Sequence, residues 1–504
     1  MILGVLAAAL VSAGLAFGIL VIAYATFMFP PTTPIPLGLV FPVGLALGAA
    51  FAFLAFTRPY TAILVAFFTI PFEYLTVLVP AEEYGTGGPL NYITLVKLMF
   101  GAIIATGFLR LTIGKSERPL RSLWWTPIPL LIALFYAMCW MSLANAKRIP
   151  AFAINMMSMG SGVVAFFIVI NLLTTRERLY RFMKVVFYAY IFISLMGIYE
   201  AVTRTHVLST LGFPMIDRPW VTNPSAFRIC GPSGDPDYYA ISVIFGLMVT
   251  FAVLPLFKSV LARMFLVACS LLHFLAIVAT ASRGAAMSTA IALTVFYLFA
   301  RFRHKLLVGV LAVATLAGGF VLFSVTVSSR AAARYSGEDL SSFDERWGWI
   351  RMCWAMMMDA PVRGTGSGQF VVLYDGYRKS YAVPRLPESA QNTYAQLAAQ
   401  NGIPTTLVYL AANLWLWVVL YRIMRETRDP TTRHVAVSFF ALAISFWMFS
   451  LTLDLVETEI SWEIFGMSIA LWALHKKVHE RAAQVPAPPE RWATRPPGLA
   501  ASRP

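Results

Sequence analysis

Charged side chains are scarce in this sequence. Only 12% of its 504 residues are Asp, Glu, Lys or Arg, about half the share of an ordinary soluble domain. Against 59% hydrophobic residues and a mean hydropathy of +0.72, that shortage excludes a soluble enzyme, because one water-surrounded core cannot hide so much apolar surface. It excludes a disordered chain as well. Cysteine is nearly missing: Cys139, Cys230, Cys269 and Cys353 are too few for a disulfide framework or a structural zinc cluster. Cys139 and Cys269 lie in apolar runs and read as small core residues. Strict apolar–polar alternation is also lacking, which disfavours a transmembrane barrel. Acidic residues are outnumbered, 24 against 39 basic, for a net charge of +15. In so apolar a chain this excess reads as basic loops held at an anionic cytoplasmic face, with no nucleic-acid partner required. No internal repeat and no inverted-repeat pattern of the transporter kind is found.

What is present is a succession of long apolar runs, each able to supply the roughly 20 helical residues that a bilayer core needs. They cover 2–26, 37–56, 60–79, 92–113, 127–144, 151–173, 185–203, 238–257, 264–281, 285–300, 306–327, 403–421, 435–453 and 460–474. The expected fold is an all-α polytopic integral membrane protein with about 14 transmembrane helices, 12–14 allowing for the last runs. The first run has no basic start and is read as a retained span. Lys/Arg asymmetry puts both termini in the cytoplasm. Arg110, Lys115, Arg176, Arg178, Arg301, Arg303 and Arg422 then fall inside, and Asp235, Asp237, Asp454, Glu457 and Glu459 fall outside. Residues 1–200 form an N-terminal set of spans. Residues 201–475 form a second transmembrane region with outward loops at 204–237 and 328–402, and 476–504 form a disordered cytoplasmic tail rich in Pro, Ala and Arg.

Long loops in compact proteins carry function or are disordered, and these two are rich in Trp, Tyr and Phe. In the second, Ser342 with Glu345 forms a capping box. Trp347, Ile350, Trp354 and Met357 then follow at helical spacing, which predicts a surface helix over about 342–359 ended by Pro361. A Gly-rich turn, Arg363-Gly-Thr-Gly-Ser-Gly368, comes next, and a second helix from about Ser389 to Gln400 ends at Asn401-Gly402. Between two apolar runs with almost no loop sits Ser282-Arg283-Gly284. An arginine at the hydrocarbon edge costs about 2.5–3.5 kcal/mol if it lies deep, so Arg283 is expected to face a polar cavity or an anion.

Three patterns, in this order, resemble the O-antigen ligase and O-antigen/exopolysaccharide polymerase superfamily: Arg228-Ile-Cys-Gly231 with Pro232-Ser-Gly-Asp-Pro-Asp-Tyr-Tyr-Ala240; Ser282-Arg283-Gly284-Ala285; and the long loop with Arg346-Trp, Asp359-Ala-Pro361, Gly364-Thr-Gly366-Ser-Gly368, Gln391-Asn392-Thr-Tyr394 and Asn401-Gly402. The resemblance covers roughly 200–420. It implies a GT-C-like membrane glycosyltransferase with a large helical periplasmic loop, independent of metal and without cofactor. Such enzymes work at the periplasmic face of the bacterial inner membrane and move a glycan from undecaprenyl diphosphate to an acceptor hydroxyl. Arg228 and Arg283 match the arginines implied to hold the donor diphosphate. Gln391 stands where the family usually has a histidine implicated at the acceptor, and glutamine cannot act as a general base.

The residues themselves permit that chemistry. Guanidinium grips phosphate by bidentate, charge-assisted bonds, although each arginine has the alternative of pairing with a carboxylate or capping a helix. Arg346, Arg351 and Arg363 are further donor candidates or else solvent- and headgroup-facing loop residues. Arg363 precedes the Gly-rich turn, whose amides offer to share an anion with it. Glu388, about one helical turn before Gln391, is either a base or a solvated helix start. Asp235 and Asp237 read as a thin metal pair or as helix caps, with no metal assigned. Asp237, Asn392 and Tyr394 complete the substrate-binding candidates. His206 and His273 read as core residues, and Lys97, inside a span, pairs with a carboxylate such as Glu200 or snorkels.

The sequence is therefore read as a polymerase of undecaprenyl-diphosphate-linked oligosaccharide repeats. The alternative is an O-antigen ligase acting on lipid A-core or another acceptor, and from another class a lipid-linked oligosaccharide flippase. The partners expected are the lipid-linked glycan, the membrane and other polysaccharide assembly proteins.

Overall fold

A computed structural model describes residues 37–79, 93–112, 126–210, 227–301, 341–378 and 389–484. The expected spans 2–26 and 306–327, Trp220 and Glu388 lie outside them. In chain order the helices are α1 Leu37–Thr57, α2 Pro59–Thr69, α3 Leu95–Thr112, α4 Ile128–Met141, α5 Ile149–Leu172, α6 Arg176–Thr203, α7 Pro236–Val253, α8 Val260–Ala279, α9 Arg283–Phe299, α10 Ser341–Asp359, α11 Phe370–Arg378, α12 Thr393–Glu426, α13 Pro430–Phe449 and α14 Glu459–Gln484. A small antiparallel ribbon, β1 Val77–Val79 with β2 Ile93–Thr94, precedes α3.

Seven helical segments among the described residues are long and apolar enough to cross a membrane: Ile128–Asn145, Ile149–Leu172, Arg176–Thr203, Pro236–Leu256, Val260–Ala279, Thr393–Glu426 and Pro430–Phe449. Shorter apolar helices cover Ala46–Thr57, Pro59–Glu73 and Arg283–Phe299. The protein is thus a helical, polytopic membrane protein. Their outer faces carry apolar side chains suited to lipid: among the described residues, Val260, Leu261 and Val267 on α8 are 73%, 78% and 66% exposed.

Helix starts follow local chemistry. Thr175, Ser259, Ser282 and Asn392 accept from backbone N–H groups three residues on, and Asp235 and Asp429 accept from N–H groups two and three residues on. These bonds satisfy amides that the first turn leaves unpaired. The span expected over 60–79 is cut short. Helix α2 stops at Thr69, and Pro71, which has no N–H to continue the ladder, opens a 3₁₀ stretch, Ile70–Thr76, leading into the ribbon. Helix α14 runs on through Gln484, so 476–484 is helix where tail was expected. The loop helix α10 and the break before the last spans lie where the sequence puts them.

Helices α5 and α14 pack closely, and α13 is flanked by α7, α9 and α12. Close approach relies on small residues: a Cβ on Gly162 of α5 would lie 2.0 Å from the Trp462 ring of α14. Above the bundle, α10 and α11 form a second small core with Met352, Cys353, Met356, Phe370 and Tyr374, seated on α12.

Candidate functional site

Two polar spaces open where α7, α9, α12 and the segment 450–458 meet. The first is a small cleft lined by Arg228, Asp237, Ser282, Arg283, Arg346 and Thr452. Local structure explains each position. Ala281, in the left-handed conformation at φ 51°, reverses the chain within three residues, and Ser282 caps α9 by accepting from Ala285 N–H at 3.2 Å. Arg283 is therefore the first residue of α9, at the positive end of a helix. Asp235 Oδ1 caps α7 by accepting from the N–H groups of Asp237 and Tyr238 at 2.7 and 3.0 Å. The metal pair imagined for Asp235 and Asp237 is thereby divided: one carboxylate is a cap and the other faces the cleft.

Arg228 is 8% exposed. Its Nε donates to the Thr280 carbonyl at 2.8 Å and its Nη2 to Asp237 Oδ1 at 3.0 Å. Arg346, from α10, brings Nη2 to 3.6 Å from the other oxygen, Oδ2. Two guanidinium groups, those of Arg228 and Arg346, thus share the Asp237 carboxylate, and Arg283 lines the same cleft.

The turn that carries Arg228 is fixed by Glu200, fully buried at the end of α6. Its Oε1 accepts from Val207 N–H at 2.9 Å, and its Oε2 accepts from Cys230 and Gly231 N–H at 2.8 and 2.9 Å. His206 and Cys230 complete a buried trio of ligand-type side chains with Glu200. Three amides already occupy the Glu200 carboxylate, so this member of the trio serves the backbone. Lys97 does not meet Glu200; it pairs with Glu73 at 3.5 Å and donates to Ser158 at 3.4 Å.

The second space is a cavity of about 200 Å³ whose wall includes Lys97, Asn155, Gln391, Gln396, Asp454 and Glu457. Thr393 pins its floor: Thr393 N–H donates to Ser450 O at 2.8 Å, its hydroxyl donates to Leu453 O at 2.9 Å, and Leu455 N–H donates back to that hydroxyl at 2.9 Å. Gln396 donates to Asp454 Oδ2, and Asn155 donates to Glu457 Oε1. Burial pushes both carboxyls well above the ordinary carboxylate range. The Asp454 charge pushes Glu457 further, while Asn155 and Lys97 partly oppose it. Gln391 sits in the left-handed region at φ 53°, and its Oε1 is buried with no hydrogen bond among the described residues.

Other sequence candidates fall elsewhere. Asn392 caps α12, accepting from Ala395 N–H and donating to Leu451 O. The Tyr394 hydroxyl donates to Trp447 O. Arg351 is exposed and lies over the Trp347 ring, 5.7 Å from its centroid. Arg363 is exposed, and the amide nest expected beside it is spent. Gly364, Thr365, Gly366, Ser367 and Gly368 N–H groups donate to Ala360 O, Ala399 O, Gln400 O, Ser142 Oγ and Gln400 Oε1 in turn. The Gly-rich turn splices the loop onto the kink in α12, and its amides are already engaged there.

Asp454 and Glu457 were absent from the sequence-derived site. The signal was the run Asp454-Leu-Val-Glu-Thr-Glu459 between two apolar segments, which sequence alone reads only as outward charge.

A comparison with curated proteins gives no match. Residues 265–410, covering most of α8, α9, the long loop and the start of α12, are similar to the family model described as O-antigen ligase.

Proposed function

We propose that this protein is a membrane glycosyltransferase that draws its glycan from undecaprenyl diphosphate at the periplasmic face of the bacterial inner membrane. The observation that carries the reading is the convergence of Arg228, Arg283 and Arg346 on one cleft. Three arginines and one carboxylate line this cleft beside the N-terminus of α9, a setting that suits a diphosphate. The same groups stabilise the diphosphate as it departs, and electrostatic stabilisation of developing charge is the largest single contribution in many enzymes. Arg283 and Arg228 act on the donor. Asp237 holds the guanidinium groups in place before it arrives.

Polymerisation of lipid-linked repeats is the first reading, because the loop with α10 and α11 offers a broad surface for a growing chain and Gln391 departs from the ligase-type histidine. The description of the matched family favours the second reading, a ligase that transfers glycan to lipid A-core or another acceptor. The test is transfer by purified protein from undecaprenyl-diphosphate-linked glycan, without nucleotide sugar or added metal. A ladder of lengthening products supports the polymerase and a single transfer supports the ligase. Lipid translocation without transfer would point to a flippase and refute both.

A further inference from the structure

The arginine cleft and the polar cavity are neighbours, lined by adjacent residues of two shared segments. Asp237 lines the cleft and its neighbour Tyr238 lines the cavity; Thr452 lines the cleft and Asp454 lines the cavity. The Tyr238 hydroxyl donates to the Asp454 carbonyl at 3.0 Å, tying the two shared segments together. Successive α-carbons are about 3.8 Å apart, so the two spaces border the same two short segments of chain.

The cavity is built for a small polar group. Its volume of about 200 Å³ is below the roughly 300–1,000 Å³ of drug-sized pockets. Polar side chains reach it from α3, α5, α12 and the 450–458 segment. Among the described residues, its acceptor atoms include two without a hydrogen-bond partner. Gln391 Oε1 is buried and accepts no hydrogen bond among the described residues, a costly state that a hydroxyl donor relieves. Glu457 Oε1 is held by Asn155, and no hydrogen bond is recorded for Oε2 among the described residues. Asp454 differs, since Gln396 donates to Oδ2 and Val456 N–H approaches Oδ1.

We infer that this cavity receives the acceptor hydroxyl of the incoming glycan, and that Glu457 is the catalytic base that takes its proton. The assignment rests on the donor reading above and supplies the base that Gln391 cannot be. In the step, the acceptor oxygen forms a bond to the anomeric carbon of the donor sugar. The bond from that carbon to the diphosphate oxygen breaks, and its electron pair leaves with the diphosphate. The hydroxyl proton passes to Glu457 Oε2. Gln391 Oε1 accepts from a neighbouring sugar hydroxyl and orients the ring. Asn155 is a positioning residue, fixing the carboxylate through its other oxygen.

The experiment uses the full chain in nanodiscs, with lipid-linked glycans extracted from source cells lacking this protein as substrate. Undecaprenyl diphosphate alone serves as the binding probe. Glu457→Gln keeps the side-chain volume and lowers kcat by about 10²–10⁴-fold, the range for general-base removal, while undecaprenyl diphosphate binding is unchanged. The wild-type rate rises with pH as Glu457 loses its proton, and the residual rate of Glu457→Gln lacks that limb. The groups facing Glu457 that also titrate or carry charge are Glu73, Lys97, Tyr238, Asp454 and Glu459, so Asp454→Asn is measured beside it and keeps the limb. Should Glu457→Gln fail to insert, Asn155→Ala gives the reading through a lowered kcat at constant donor binding. Wild-type kcat in Glu457→Gln, or in Asn155→Ala, overturns the base assignment and leaves the donor reading standing. A wild-type chain that does not bind undecaprenyl diphosphate overturns the donor reading, and the base assignment with it.

Discussion

Arg228 and Asp237 are joined at 3.0 Å with side chains only 10% and 16% exposed. The pair sits nine residues apart across the turn that enters α7, with Arg346 against the far oxygen of the same carboxylate. A buried ion pair is retained at a cost when an apolar pair would serve, and removing one partner strands the other. Asp237→Ala is therefore expected to cost about 3–5 kcal/mol in unfolding free energy. A double-mutant cycle with Arg228→Ala should return a coupling of about 0.5–3 kcal/mol. Additive single effects, measured by thermal unfolding in detergent, would show that the pair is incidental.

The long-loop arginines should separate by position. Arg346 lines the cleft and Arg351 lies over Trp347. Arg346→Ala is expected to weaken undecaprenyl diphosphate binding by about 1.5–3 kcal/mol, the worth of a hydrogen bond to a charged group, and Arg351→Ala to leave it unchanged. Equal losses in a lipid-binding titration would place the donor elsewhere.

Arg283→Ala is expected to abolish transfer while the protein still inserts at normal abundance. Immunoblotting of membranes beside analysis of product length gives both numbers at once. Products of unchanged length would remove Arg283 from the donor site.

Gly364 and Gly402 both have positive φ, 70° and 84°, and a Cβ on either would come within 2.3 and 2.2 Å of the facing backbone. Neither chain can yield, because Thr365, Gly366 and Ile403 N–H groups cross the same junction to Ala399, Gln400 and Pro361 carbonyls. Gly402→Ala should cost about 1–3 kcal/mol of backbone strain, before the clash is counted, and should expose the loop to protease. Wild-type proteolysis kinetics would contradict the splice.

At the start of α13, Asp429 caps the helix and meets Arg176 at 3.1 Å. Burial pushes its carboxyl up, but the Thr432 hydroxyl, Thr431 N–H and Arg176 outweigh this and hold it below its ordinary 3.8. A depressed folded-state pKa contributes stability above the unfolded value, and that stability is lost as pH falls through the folded value. Asp429→Ala should lower stability by about 1 kcal/mol, as other cap losses do, and should flatten the acid limb of the melting temperature from about pH 5 downward through the depressed value. An unchanged acid limb would deny the cap its share.

Glu200 was read from sequence as a possible partner for Lys97, and it instead binds three amides. Glu200→Gln places an N–H donor against N–H donors. The expected loss is about 1–3 kcal/mol, with weaker undecaprenyl diphosphate binding because the Arg228 turn loosens. Unaltered stability and binding together would free that turn from Glu200.

Periodic apolar runs, caps and Gly/Pro punctuation are local properties, and they yielded the helical membrane class, the surface helix over about 342–359, the break at Gly402 and the arginine at the start of α9. The truncation of α2 at Pro71 was equally local in cause, but the apolar residues around it masked the missing N–H. Motif resemblance drew attention to Arg228, Arg283 and the long loop. It could not show that the Gly-rich amides are spent, because their acceptors lie up to 225 residues away in sequence.

The amino-acid sequence by itself determined what dissolves where: which segments belong in lipid, which ends carry cations, and where helices begin. Whether two charges meet was decided by the tertiary structure alone. Arg228 and Arg346 share Asp237 because α7 and α10 are brought together by packing, and Asp454 and Glu457 line a cavity because Thr393, Gln396 and Asn155 arrive from other helices. Local patterns register the free energy of a side chain with its solvent; a site depends on distances between side chains that only the packed bundle sets.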